Sequence, residues 1–124
     1  PQLVGYDIDE RAIDGARQNV EAAGLTDAIE LHCQSLQQLQ PDAELTPGLV
    51  IVNPPYGERL GNVEELGELY QLLGDLLKQR FKGWTAYIFT GNKELSKRIG
   101  LRTSKRIPLY NGALPCTLLK YELY

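Results

Sequence analysis

Residues 49–56 read Leu49-Val50-Ile51-Val52-Asn53-Pro54-Pro55-Tyr56, an apolar tetrapeptide that runs directly into an asparagine and two prolines. Four consecutive apolar residues predict a short strand that is covered on both faces, as in a parallel sheet. Proline has no backbone N–H to offer a sheet, so the strand should end at Val52 and a stiff loop should follow. We therefore expect a parallel-sheet protein with a rigid loop at the exit of one strand.

The segment upstream of this stretch predicts the order strand, helix, strand. Residues 3–7 predict a buried strand that ends on a carboxylate, and residues 28–33 predict a second strand. Between them, apolar residues at helical spacing predict a helix over 10–24, with Asp9 as its N-cap and Gly24 as its stop. Strands that alternate with helices imply parallel pairing with a right-handed crossover.

Downstream, the longest apolar stripe of the chain predicts a helix of about five turns from Val63 to Phe81. Further elements are strands at residues 84–90, 103–108 and 114–122 and a short helix from 91 or 92 to 99. Asn111-Gly112 lies between the last two strands and suits a tight hairpin turn, so these strands should be antiparallel. The predicted fold class is α/β, with a mostly parallel sheet that ends in an antiparallel hairpin.

The composition narrows the class of protein. The chain has 124 residues, a formal net charge of -3 and 43% hydrophobic residues, which suits one domain with one core. No apolar run approaches the roughly 18 residues of a spanning helix, so we expect no membrane association. Cys33 and Cys116 match no close-spaced pattern, and His32 has no partner at metal-ligand spacing. We therefore expect reduced thiols, a cytoplasmic location and no metal.

The first candidate site is Asn53-Pro54-Pro55-Tyr56. Ligands of open parallel sheets gather beyond the carboxyl ends of the strands, where this loop should lie. The side-chain carbonyl of Asn53 and the main-chain carbonyl of Pro54 can both accept hydrogen bonds from an NH2 group. Tyr56 offers a flat face to a base taken out of its stack. The loop therefore predicts a site for a planar amine whose lone pair faces an electrophile, with a rigid turn as the alternative.

The second candidate is Asp7, the carboxylate at the end of the first predicted strand. In nucleotide-binding α/β sheets, an acidic residue at such a place commonly accepts hydrogen bonds from ribose hydroxyls. A cap or turn role is the alternative. The glycine-rich turn that should precede a nucleotide-binding strand of this kind is absent from the chain.

Several stretches together carry a resemblance to a known family. Residues 4–9, the helix end at 16–24 and above all Asn53-Pro54-Pro55-Tyr56-Gly57-Glu58-Arg59-Leu60 resemble class I S-adenosylmethionine-dependent methyltransferases. The extension Gly57-Glu58-Arg59-Leu60 and the ending from Tyr110 to Tyr121 are similar to the THUMP-domain family of RNA guanine-N2 methyltransferases. The four-residue core alone is shared with N6-adenine DNA methyltransferases and glutamine-N5 protein methyltransferases.

The resemblance implies a Rossmann-like class I methyltransferase fold and S-adenosyl-L-methionine as cofactor. Asp7 would bind the cofactor ribose and Ile8 would lie against the adenine. Ser35 stands where family members usually have an aspartate that binds the adenine amine. Asn53 is the fourth residue expected at the cofactor.

The same resemblance implies the substrate. The catalytic residues would be Asn53, Pro54, Pro55 and Tyr56, which would hold the exocyclic N2 amine of a guanine in 23S ribosomal RNA. An adenine in DNA or a glutamine in a protein is the alternative acceptor. A non-catalytic folding or interaction module is the alternative from another functional class.

The resemblance also implies that the chain is a piece of a longer protein. The family's first strand and glycine-rich loop would lie before Pro1, and the chain contains no methionine. We therefore expect residues 1–124 to form the C-terminal portion of a single methyltransferase domain, inactive when isolated. The strand predicted to be missing would lie between residues 3–7 and 48–52. These strands should pair directly, pair with another molecule, or need the missing portion.

One basic cluster stands out in an otherwise acidic chain. Six of the thirteen basic residues fall within fourteen positions: Lys93, Lys97, Arg98, Arg102, Lys105 and Arg106. Such an excess could contact ribosomal RNA phosphates. A solvated helix face followed by an edge strand is the alternative. The sequence says nothing of the oligomeric state.

Overall fold

The computed structural model describes residues 3–41, 47–56 and 63–124. Within them the elements are β1 (Leu3–Asp7), α1 (Glu10–Ala22), β2 (Ile29–Cys33), β3 (Leu49–Val52), α2 (Val63–Arg80), β4 (Thr85–Thr90), α3 (Lys93–Ser96), β5 (Lys105–Asn111) and β6 (Leu114–Glu122). Short 3-10 turns occur at Leu36–Gln38 and Lys97–Ile99. The chain divides into two compact units, Pro1–Leu39 and Gln40–Tyr124.

The first unit is a strand, helix, strand motif. β1 and β2 are parallel, with Leu3 opposite Ile29 and Asp7 opposite Cys33. The Asp9 side chain accepts a hydrogen bond from the backbone N–H of Arg11 at 2.9 Å and so caps α1. The positive φ of 71° at Gly24 ends the helix region. Both predicted strands and the capped helix are thus confirmed.

The second unit contains a four-stranded sheet in the order β3-β4-β6-β5. β3 and β4 are parallel, whereas β6 is antiparallel to both of its neighbours. The last strand in the described sequence therefore lies inside the sheet, and β5 lies at its edge. The predicted antiparallel hairpin is confirmed, but the four described strand pairings divide evenly between parallel and antiparallel.

The core of the second unit lies between α2 and one face of this sheet. Tyr70, Leu73 and Leu77 of α2 are at most 1% exposed. They are buried together with alternate residues of the two central strands, namely Ala86, Ile88, Leu119 and Tyr121. Spacing of three and four residues on α2 and of two on the strands explains why these side chains share one side.

The opposite face of β3 differs from the prediction. Leu49 and Ile51 are 59% and 68% exposed, so the strand is not covered on both faces. The physical reason is that α2 packs against the face that carries Ala86 and Ile88, and alternate residues of β3 point away from it. An apolar tetrapeptide predicted the strand but not the cover on its second face.

The hairpin turn also differs by one residue from the prediction. Asn111 is the last residue of β5 and pairs with Leu114, so the two-residue loop is Gly112-Ala113. Gly112 has a φ of 61°, as a turn with glycine first requires. Asn111 is thereby left with an extended backbone and a side chain that the turn does not use.

Three further expectations concern strand pairing, the residues after Tyr56 and membrane-spanning helices. Among the described strands β1 pairs with β2 and β3 pairs with β4, and the expectation for the edge between residues 3–7 and 48–52 stays a prediction. Residues Gly57, Glu58, Arg59 and Leu60, which narrow the resemblance, lie outside the described residues. In the described ranges, no helix is long and apolar enough to cross a bilayer.

Gly74 offers a test of the packing of α2. A Cβ at Gly74 would lie 1.7 Å from the carbonyl oxygen of Ile99, whereas a Cβ at Gly15 of α1 would meet nothing within 4 Å. Gly74→Ala should lower the free energy of unfolding by about 3 kcal/mol, as overpacking does. Gly15→Ala should raise it by about 0.5–1 kcal/mol through helix propensity. Urea denaturation of the two variants measures both, and an unchanged midpoint for Gly74→Ala would contradict the close packing.

Candidate active site

The Asn53-Pro54-Pro55-Tyr56 loop leaves the carboxyl end of β3, next to the carboxyl end of the parallel strand β4. Asn53 is exposed and Pro54 is buried. No residue in the described part of the chain donates a hydrogen bond to the Asn53 side chain. A buried proline ring therefore anchors the loop, while the amide next to it points to where a ligand could reach it.

A chain of hydrogen bonds links the loop to α2 and β4. The Tyr70 hydroxyl lies 3.0 Å from the carbonyl oxygen of Pro55 and 2.8 Å from the hydroxyl oxygen of Thr90. The backbone N–H of Asn92 donates to the same Thr90 oxygen at 3.2 Å. Because a carbonyl only accepts, Tyr70 donates its one proton to Pro55, and Thr90 donates to Tyr70. The direction of each of these hydrogen bonds is thereby determined.

The Tyr70 phenol is a neutral hydrogen-bond donor. Its side chain is fully buried, and this loss of solvent raises the pKa of Tyr70 above its ordinary value, although the hydrogen bond to Thr90 lowers it. A protonated phenol is the form that can donate to Pro55. α2 therefore holds the loop through a neutral donor whose state does not change near neutral pH.

The Tyr56 ring is held from several sides. The Asn111 side-chain amide donates to the Tyr56 hydroxyl at 3.0 Å, and the Cys116 thiol lies 3.6 Å from the same oxygen. The ring meets Phe89 edge to face, with centroids 6.2 Å apart. A Cβ at Gly91 would lie 2.8 Å from the ring, so only glycine leaves room there. β4, β5 and β6 thus all determine where the ring lies.

These neighbours act in opposite directions on the pKa of Tyr56. The Asn111 hydrogen bond lowers it and is the largest single influence. The Cys116 hydrogen bond and burial raise it, and their combined effect is a raised pKa. The phenol is therefore neutral at physiological pH and presents an uncharged aromatic ring.

The first unit contains the residues predicted to hold a cofactor. Asp7 ends β1, and its carbonyl accepts a hydrogen bond from the backbone N–H of Gln34 at 3.0 Å, which keeps the ends of β1 and β2 together. One carboxylate oxygen of Asp7 accepts from the backbone N–H of Asp9 at 2.8 Å. Ile8 is 74% exposed directly beside it. Asp7 therefore forms a local turn with one oxygen, and its carboxylate remains exposed.

Ser35 follows the end of β2 and so lies at the same edge of the unit. The side-chain oxygen of Gln38 accepts hydrogen bonds from the Ser35 backbone N–H at 3.0 Å and from the Ser35 hydroxyl at 3.3 Å. The hydroxyl proton is thereby used, and the Ser35 oxygen also accepts from the Gln38 backbone N–H in a capping box, which leaves its second lone pair as an acceptor. An acceptor is what an adenine amine requires.

The structure thus brings the predicted site residues together in two groups. Asp7, Ile8 and Ser35 share the carboxyl edge of the first unit, and Asn53 to Tyr56 belong to the second. His32 stacks on Tyr6 with centroids 5.6 Å apart and lies 3.5 Å from Glu30, on the strand surface. Over the described ranges, no group of three His, Cys, Asp or Glu residues could hold a metal.

The basic cluster is exposed at all six of its positions. Lys97 forms an exposed ion pair with Glu94 at 3.3 Å. The Arg98 guanidinium packs closely on Gly67 of α2. A Cβ at Gly67 would lie only 2.8 Å from a guanidinium nitrogen. The remaining members, apart from Lys93 in α3, lie before or within β5, so the cluster runs from a helix to an edge strand.

Sequence reasoning missed the residues that support the loop. Tyr70 falls within the apolar stripe predicted from Val63 to Phe81, although a tyrosine among leucines signals a hydroxyl that needs a buried partner. Asn111 was assigned to the turn. Cys116 and Gly91 gave no signal, because their role depends on the register that places β6 beside β4.

The fold and the loop assign this chain to the class I methyltransferases, and comparison with solved structures confirms the assignment. The crystal structure of SMU.472, "a putative methyltransferase complexed with SAH", matches with a TM-score of 0.90 and 31% identity over 98% of this chain. A possible methylase from Clostridium difficile 630 matches with a TM-score of 0.87 and 34% identity over the whole chain. The chain belongs to the family described as RMKL-like, methyltransferase domain (UPF0020), which matches residues 1–120.

A curated relative agrees with this family. The ribosomal RNA large subunit methyltransferase K/L of Syntrophotalea carbinolica is 50% identical over 99% of this chain. The chain spans only 18% of that relative, and 32% and 33% of the two solved chains. The match confirms the resemblance to ribosomal RNA methyltransferases that the sequence motifs indicated.

Tyr70→Phe tests the support of the loop. The variant leaves the Pro55 carbonyl and the Thr90 hydroxyl without their partner in a buried place. The free energy of unfolding should fall by about 1–3 kcal/mol, the cost of unsatisfied buried polar groups. Tyr87→Phe, on the opposite face of β4, is the matched control and should change it by less than about 0.5 kcal/mol. Equal midpoints for the two variants in urea denaturation would refute the assigned role of Tyr70.

Proposed function

We propose that this chain is the C-terminal portion of a single methyltransferase domain whose full protein methylates the exocyclic N2 of a guanine in 23S ribosomal RNA. The observation that carries the proposal is the anchored Asn53-Pro54-Pro55-Tyr56 loop, with an exposed amide at its start and a held aromatic ring at its end. The relationship to ribosomal RNA large subunit methyltransferases supports the choice of substrate. Relatives named as ribosomal RNA large subunit methyltransferases also favour a cytoplasmic location.

S-adenosyl-L-methionine is the proposed cofactor, and the first unit fits it. The exposed edge offers a carboxylate for a ribose diol, an apolar side chain for a flat ring and a hydroxyl oxygen for an amine, which are the parts of a nucleoside. Asp7, Ile8 and Ser35 would hold these three parts in that order. Asn53 is the fourth residue proposed for cofactor binding. The SAH complex of SMU.472 supports a cofactor of this type.

The chemistry requires an amine nitrogen aimed at an electrophilic carbon. S-adenosylmethionine, when bound, supplies a methyl group on a sulfonium. The Asn53 side-chain carbonyl and the Pro54 carbonyl would each accept a hydrogen bond from one N–H of the guanine amine. The lone pair of the amine nitrogen would then face that methyl group. The cofactor, held by Asp7, Ile8 and Ser35, would supply the methyl group and would leave as a neutral thioether, and the amine nitrogen would then release a proton to solvent. No strong base is needed, since the nitrogen becomes acidic as it becomes cationic.

Tyr56 and the basic cluster are proposed to bind the RNA. The Tyr56 ring gives the extruded guanine a surface for stacking. The six exposed cations from Lys93 to Arg106 would contact backbone phosphates. A purely solvated role for the cluster predicts no change in the salt dependence of RNA binding when its charges are removed. The oligomeric state plays no part in this proposal.

Asn53→Ala tests the proposed amine site. In the full-length protein that carries this sequence, the variant should lower the rate of methyl transfer by at least about 100-fold, because one of two carbonyl acceptors is lost. The dissociation constant for S-adenosylmethionine should change far less, by under about tenfold, because Asp7, Ile8 and Ser35 keep their proposed contacts with the cofactor. Asn19→Ala on α1 is the matched control and should leave both unchanged. Transfer at the normal rate by Asn53→Ala would exclude the assigned role.

Mass spectrometry of ribosomal RNA from cells that lack the gene reads out the acceptor. Loss of one N2-methylguanine from 23S RNA supports the proposal. Unchanged N2-methylguanine in that RNA, together with loss of N6-methyladenine from the DNA or of N5-methylglutamine from the protein of the same cells, would assign the same chemistry to another acceptor.

Asp7→Asn tests the proposed ribose site without disturbing the local turn. An asparagine side-chain carbonyl can still accept from the Asp9 N–H, but the amide cannot accept from a diol as a carboxylate does. Affinity for S-adenosylmethionine, measured by calorimetry, should fall by about 10- to 100-fold, the size of one or two charge-assisted hydrogen bonds. Asp9→Asn keeps its helix cap and should bind the cofactor normally. Equal affinities of the two variants would rule out Asp7 as a ligand.

A further inference from the structure

We infer that Asn111, at the end of β5, is a positioning residue that sets the plane of the Tyr56 ring for the target base. The inference rests on the proposed function, because a ring on which a base stacks must have a defined orientation. The juxtaposition is between two residues 55 positions apart, joined by a hydrogen bond of 3.0 Å from the Asn111 amide to the Tyr56 hydroxyl.

The side chain of Asn111 is not needed by the hairpin itself. Gly112 provides the positive φ of the turn, and Asn111 is paired with Leu114 through its backbone. An asparagine at a paired strand end has no helix or turn to cap. Its amide is instead directed to the phenol of another segment, so its contribution is to the loop and not to the local fold.

The other contacts of the Tyr56 ring do not fix its hydroxyl, so the hydrogen bond at the hydroxyl determines the orientation of the ring. Gly91 and Phe89 lie against the carbon atoms of the ring. They limit how far the ring can shift, but neither has a polar group that could hold the phenol. Asn111 supplies the strong hydrogen bond at that end, and the Cys116 thiol at 3.6 Å supplies a weaker contact.

A stacked base inherits the orientation of the ring beneath it. A rotation of the Tyr56 ring would turn the guanine amine away from the carbonyls of Asn53 and Pro54, and such misplacement lowers the rate of the chemical step. Loss of the Asn111 hydrogen bond should therefore reduce kcat more than it changes KM. A residue with only a structural role would lower stability without this division.

The test is a double-mutant cycle in the full-length protein with 23S RNA from cells that lack the gene. Asn111→Ala should lower kcat by about five- to tenfold and change KM by less than about twofold, as expected for one neutral hydrogen bond. Tyr56→Phe, which removes only the hydroxyl, should give the same loss. The double variant should lose no more than either single variant, because both remove one interaction.

Tyr110→Phe is the matched control. It removes an exposed phenol from the neighbouring position of β5, whose side chain points to the other face, and it should have normal kinetics. Normal kcat for Asn111→Ala or for Tyr56→Phe, or additive losses in the double variant, would overturn the inference while the proposed function stands. If Asn111→Ala does not fold, the kcat of Tyr56→Phe decides alone. A wild-type protein that forms no N2-methylguanine would overturn the proposed function itself.

Discussion

A phenol hydroxyl in an apolar core must find partners, and the arrangement of the second unit follows from how Tyr70 finds them. Its side chain is fully buried, yet its oxygen reaches both Thr90 and the carbonyl of Pro55. Burying that hydroxyl without partners would cost a few kcal/mol. The Tyr70 hydroxyl oxygen therefore connects α2, β4 and the loop after β3. The two prolines restrict the backbone of the loop and so keep the Pro55 carbonyl in place.

This constraint explains how a rigid site can arise beside a sheet whose second face is exposed at β3. The Pro55 carbonyl is held from the helix side, whereas the Tyr56 ring is held from the opposite face by Asn111 and Phe89. Two neighbouring loop residues thus take their positions from the two faces of one sheet. Asn53 remains the exposed member, which suits a side chain that must meet a ligand.

The elements of the fold could be predicted because each has a local signal: proline ends β3, a carboxylate caps α1, and a stripe of leucines builds α2. The exposed face of β3 could not, because a run such as Leu49 to Val52 does not say which side a helix will cover. The loop could also be proposed as a candidate site from its residue types. The contact of Asn111 with Tyr56 was not, since it requires the register of two antiparallel pairs that no short stretch of sequence contains.

The place of β6 between β4 and β5 has a consequence for how the protein is made on the ribosome. β4 can pair with β3 as soon as residue 90 has emerged, but its second edge stays open until residues 114–122 follow. During that interval an apolar strand edge is available to other nascent chains. The hairpin that pairs with this edge of β4 also contains Asn111 and Cys116. The contacts of the Tyr56 hydroxyl therefore form at the same moment as this edge is paired.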